Sequence, residues 1–215
     1  MTAPGEYNGW TIYEGTRFTE ALLWPDISDK TGYGARMDVR KAQTPTATAI
    51  LGLPVGDGLQ LSVATVQTMT ITGSPTGGTI RLSGPTATIA YNASAATVQT
   101  EIRALGGAYA TATVTGSAGG PWTVTIFDAT ALTLHTNSLT GGTSPSLTIA
   151  NASYLCVGID IPATDTKRLS FKPVDGILTG YYDIEIIPPT GEEYTWRALM
   201  GTITYSREVT AAVAP

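Results

Sequence analysis

The chain has 215 residues, 42% of them hydrophobic, with 24 Gly, 13 Pro and one Cys, Cys156. That composition is turn-rich and apolar enough for a packed core, which excludes disorder, and the single cysteine excludes an internal disulfide framework. A net charge of −5 leaves no basic surface for phosphates, so no nucleic-acid partner is expected.

No apolar run approaches the roughly 20 residues of a membrane helix, and the opening MTAPGEYNGW lacks the basic-then-apolar order of a signal peptide. The expectation is a soluble protein with no membrane partner. Charge is spread unevenly. Between Ser62 and Ala152 only Arg81, Glu101, Arg103 and Asp128 are charged, four in 91 residues, while the other 25 charged residues fall in the remaining 124. The two flanks resemble each other more than either resembles the middle. This pattern predicts one discontinuous domain, 1–61 and 153–215, with a second domain, 62–152, inserted into one of its loops.

In chain order, GARMDVRK alternates strictly, setting Ala35, Met37 and Val39 against Arg36, Asp38 and Arg40, as a half-buried strand does. LPVGDGLQL reads as a hairpin whose outgoing strand enters the insert. TVQTMTIT, GTIRLS and TATIAY follow as strands joined by Gly/Pro/Ser/Thr turns. A helix is predicted near 94–105: Ser94 is a suitable N-cap, Val98, Ile102 and Leu105 fall on one face, and Gly106-Gly107 stops the turn. YATATVTGSAGGPWTVTIF is a hairpin with Trp122, Val124 and Ile126 on one side, and SPSLTIA closes the insert's sheet. YLCVGIDIP sets Leu155, Val157, Ile159 and Ile161 against Tyr154, Cys156, Gly158 and Asp160. YYDIEII sets Tyr182, Ile184 and Ile186 against Asp183 and Glu185. PPTGEEY turns the chain into returning strands in TWRALMGTITYSREVT. The expected fold is mainly β, a small antiparallel sandwich or barrel interrupted by a β-rich insert with one α-helix. Both ends, MTAPGEYNGW and REVTAAVAP, read as arms.

Catalytic chemistry finds little support. His135 is the only histidine, and pairing with Cys156 would lack an orienting third group. One His and one Cys cannot make a zinc site. Asp26, Asp29 and Asp57 depart from calcium-loop spacing and read as turn formers. Asp183, Glu185, Glu192 and Glu193 could be nominated as a hydrolytic carboxylate pair, but solvated strand acids give the same pattern. No catalytic, cofactor-binding or metal site is expected, and no enzyme. Trp122 and Trp196 sit within strand patterns as core. Trp10 and Trp24 lie in less regular segments and are the candidate interface anchors.

Three segments carry a resemblance: GTRFTEALLWPDISDKTGYGARMDVRK, VGIDIPATDTKRLS and GYYDIEIIPPTGEEYTWRALMGTITYSREVT. Together they resemble a small β-domain of tailed-phage structural proteins, the family that includes the N-terminal domain of baseplate upper proteins. The insert, with IAYNASAATVQ followed by GGPWTV, is similar to segments of virion proteins from actinobacterial phages. The resemblance implies a structural component of a bacteriophage virion, a minor tail, baseplate or neck protein. It would be assembled in the bacterial cytoplasm, present in several copies or as a homo-oligomer, and would contact other virion proteins without a cofactor. Two rivals are a capsid-surface decoration protein and a module binding a cell-surface receptor or glycan.

Overall fold

A computed structural model describes residues 5–42, 49–83, 87–168, 177–189 and 196–206. The chain is mainly β, and its sheets include a curled half-barrel. Its strands are β1 (Gly5–Tyr13), β2 (Phe18–Trp24), β3 (Gly34–Arg40), β4 (Ala49–Pro54), β5 (Leu59–Thr72), β6 (Gly77–Leu82), β7 (Ala87–Ala90), β8 (Thr113–Gly116), β9 (Trp122–Ile126), β10 (Leu134–Thr140), β11 (Ser146–Ile161), β12 (Ile177–Ile187) and β13 (Trp196–Ser206). Two α-helices, α1 (Ala95–Arg103) and α2 (Ala163–Arg168), complete the set. The strands form sheets ordered β1-β13-β12-β3-β4, β10-β6-β7 and β2-β11-β5-β9-β8. Two compact units result: Met1–Leu22, Thr31–Leu61 and Val157–Pro215 form the first, Leu23–Lys30 and Ser62–Cys156 the second.

In the first unit the alternation of β3 and β12 becomes a buried ladder. Ala35 opposes Ile186, Met37 opposes Ile184, and Val39 opposes Tyr182, so the apolar set of one strand meets that of the next. All six are at most 4% exposed. Two further features were not expected from the sequence. The supposed N-terminal arm supplies β1, which pairs with β13 in parallel, from Gly5 opposite Leu199 to Tyr13 opposite Ser206. A parallel pair needs a long connection, and nearly the whole chain provides it. ATDTKR, for which no element was predicted, forms the short helix α2, and the amides of Asp165 and Thr166 return to the carbonyl of Pro162. Residues 1–4 and 207–215 of the expected arms lie outside the described residues, as does most of PPTGEEY.

One contact organises this unit. The Trp10 indole stacks on the Tyr182 ring at 4.0 Å between centroids and 10° between planes. Tyr182 in turn stands opposite Gly201 on β13. A Cβ at position 201 would lie 2.6–2.7 Å from the phenol ring, so only glycine leaves room for it.

In the second unit, Met69, Ile80, Leu82, Ile89, Val98, Ile102, Trp122, Val124 and Ile126 share one core and are fully buried. Helix α1 begins as the sequence predicts: the Ser94 hydroxyl accepts from the Thr97 amide at 3.2 Å, and Leu105 packs partly buried beyond the last turn. Gly106 and Gly107 take φ of 71° and 55°, ending the helix in the left-handed region. Gln67 is wholly buried, and its amide accepts from the Leu132 amide at 2.7 Å while donating to the Leu132 carbonyl at 2.9 Å and to Asn151 Oδ1 at 2.7 Å. This satisfies backbone groups that the loop before β10 would otherwise bury unpaired.

Three expectations need correction here. SPSLTIA and YLCVGIDI are not separate strands but one, β11, and TVQTMTIT continues the strand leaving the LPVGDGLQL hairpin as β5. The first arm of the YATATVTG hairpin is shortened by a 3-10 turn at Gly107–Tyr109. Cys156, placed on the polar side of its strand, is 2% exposed.

Replacing Gly201 by Ala is expected to destabilise the protein by about 1–3 kcal/mol, the cost of overpacking a filled core. Urea unfolding monitored by tryptophan fluorescence measures it. A change smaller than the error of the extrapolation would mean that the Tyr182 ring can move aside.

Candidate functional site

The residues nominated for chemistry are dispersed or already engaged. His135 is exposed on β10 and Cys156 is buried on β11. Burial pushes the Cys156 thiol up, only partly offset by its hydrogen bond with Ser62, which keeps it protonated and a poor nucleophile. Asp26, Asp29 and Asp57 are exposed, and the described residues contain no group of three or more His, Cys, Asp or Glu able to hold a metal. Asp183 and Glu185 lie half-buried on the polar face of β12, where Glu185 pairs with Arg36 at 2.5 Å and Asp183 faces Asp38 across the ladder. Arg40 binds Asp38 at 2.7 Å beside them. The face is thus a lattice of carboxylates and guanidinium groups, which structural strands carry to offset like-charge pairs. Glu192 and Glu193 lie outside the described residues.

The two nominated tryptophans belong to different units. Trp10 is 6% exposed, covered by Tyr182 on one side and with the Phe18 ring 5.3 Å away. Trp24, at the end of β2, is half-buried, and its carbonyl accepts from the Ile27 amide at 3.2 Å to turn the chain. Of the two, Trp24 keeps surface for a partner.

Sequence reading missed the open flank of β10. Among the described strands it pairs only with β6, and six of its seven residues are exposed. Its sequence, LHTNSLT, carries no lysine, acid or proline of the kind that blunts sheet edges. Asn137 provides partial cover: its Oδ1 accepts from the Leu139 amide at 3.3 Å and its Nδ2 donates to the Pro145 carbonyl at 2.9 Å. Because Leu139 alone of its residues is even partly buried, no apolar alternation marks it. The only available signal was the absence of charge.

In the first unit, Arg17 binds Asp160 through two hydrogen bonds, Nε to Oδ1 at 2.6 Å and Nη2 to Oδ2. The bond from the guanidinium holds the Asp160 carboxyl below the usual carboxylate range. With the folded value depressed, the pair contributes above the unfolded pKa of about 4 and is lost as pH falls through the lower folded value. The stability change is small because both groups are open to solvent. In an NMR titration, the Asp160 midpoint is expected below the ordinary range and moves back up in Arg17→Ala. An unchanged midpoint would mean that the pair does not form in solution.

No family model matches the chain. Over 149 residues it is 40% identical to a tail sheath protein of Mycobacterium phage Bxz1, a match that takes in 62% of this chain and 24% of that protein. The chain therefore spans about a quarter of the length of the curated relative it matches. The matched share, about 133 residues, exceeds both the 91 between Ser62 and Ala152 and the 124 outside them, so the likeness extends into both segments.

Proposed function

We propose that this protein is a structural component of a tailed-phage virion, built into the tail and acting through protein–protein contacts rather than catalysis. The observation that carries the reading is the 40% identity to a tail sheath protein, which takes in residues both inside and outside the charge-poor segment. Within the tail, that likeness favours a position along the shaft over the baseplate or neck, in multiple copies. The nominated chemical residues, dispersed or engaged in ion pairs, support an assembly role. Trp24 and the uncharged flank of β10 are the surfaces offered to neighbouring virion proteins. The stretch 62–152 acts as a module inserted between the two parts of the first domain.

Gold labelling of intact particles with antibody against Ser62–Ala152 tests the location. Label along the tail is expected. Label restricted to a tail end would return the reading to the baseplate or neck, and label over the head would replace it with a capsid-surface role.

The insertion is tested by joining Leu61 to Ser153 through a short linker. The spliced chain is expected to unfold cooperatively, and loss of folding would overturn the modular reading.

A further inference from the structure

Three turns of the second unit surround an open depression of about 570 Å³. The β5–β6 turn supplies Ser74 and Pro75, the turn before α1 supplies Tyr91 and Asn92, the β8–β9 turn supplies Gly119, and Ile71 lies between them. Its volume falls within the range of small-ligand sites, about 300–1,000 Å³.

The walls are held by the fold itself. The Thr143 amide donates to the Gly73 carbonyl at 2.9 Å, and the Gly119 amide donates to the Ala93 carbonyl at 3.0 Å, tying two of the walls together. A Cβ at position 73 would meet the Thr143 carbonyl oxygen at 2.5 Å, and one at position 142 would strike the backbone of Gly73 and Ser74. Between these contacts Ser74 is held at φ 50°, in the left-handed region that a non-glycine residue enters at a cost of about 1–3 kcal/mol. Such a conformation persists where its surroundings over-determine it, and it concentrates at functional sites.

The lining chemistry selects the ligand class. None of the lining residues is Asp, Glu, Lys, Arg or His, so neither a phosphate nor an ammonium group finds a counter-charge. None of the large hydrophobic residues exposed among the described ones, Tyr13, Val55, Leu134 and Ile187, lines it, so it offers a protein partner little apolar surface beyond the half-buried Tyr91 and Ile71. What remains is a half-buried tyrosine ring beside an exposed carboxamide and an exposed hydroxyl. We infer that this depression binds a neutral saccharide, with the Tyr91 ring against the sugar's C–H face and Asn92 and Ser74 hydrogen-bonding its hydroxyls. A carboxamide both donates and accepts, which matches adjacent hydroxyl groups, and an amphipathic ring adds contact area without charge. This inference is independent of the virion reading.

The full-length protein is titrated with maltose, cellobiose and α-1,6-mannobiose to about 50 mM, following backbone amide shifts, against a Kd on the order of 1 mM. Shifts at Ser74, Tyr91, Asn92 and Gly119 with at least one sugar are expected. Asn92→Ala should weaken binding about two- to tenfold by removing hydrogen bonds, and Tyr91→Phe should keep it. Asn92 is exposed, so its variant tests the site even if Tyr91→Ala fails to fold. No shift with any of the three sugars, or shifts confined elsewhere, overturns the inference. Shifts at these residues that follow protein concentration without sugar overturn it too, and assign the depression to a second copy of the chain.

Discussion

The ring of Tyr182 sets the terms on which the first unit closes. It occupies the space left by the missing side chain of Gly201 on one strand and meets the indole of Trp10, which β1 carries along the outer edge of the same sheet. Aromatic pairs of this kind stabilise by about 0.5–1.5 kcal/mol beyond their buried area, enough to favour one register over its neighbours. A one-residue slip of β12 would turn Tyr182, Ile184 and Ile186 outward and bring Asp183 and Glu185 inward. Arg36 of β3 holds Glu185 on the polar face, so the apolar and charged halves of the ladder specify the same register.

The second unit solves a different problem, that of strands nearly without charge. Its core is apolar, and Gln67 is its one long polar side chain among the buried residues. That amide is tolerated because its oxygen and its nitrogen are both bonded, to the amide and carbonyl of Leu132 and to Asn151. Where two of its loops meet, glycine gives the close approach. Gly73 and Gly142 allow two loop backbones to approach as no other residue would.

Local periodicity made much of this legible. Ala35, Met37 and Val39, the helical face of Val98 and Ile102, and the strand face of Trp122, Val124 and Ile126 are all buried as their spacing predicts. Features depending on distant partners were hidden. Trp10 meets a ring 172 positions away, and Arg17 meets Asp160 across 143. The continuity of β11 was concealed by Asn151 and Ser153, polar and exposed mid-strand, which with Ala152 between them imitate a turn. α2 escaped notice because six residues are too few to show a helical period. The depression was illegible for the same reason as Trp10: its walls come from turns tens of residues apart.

The scarcity of charge between Ser62 and Ala152, four residues in 91, also has a kinetic meaning. A partner approaching this segment is drawn by almost no long-range field, so encounter proceeds at the unsteered rate of about 10⁵–10⁷ M⁻¹s⁻¹ and does not change with ionic strength. Selection among partners then falls to the lifetime of the docked state. Such a surface assembles slowly from dilute solution, and gains speed when its neighbours are already gathered on a common scaffold.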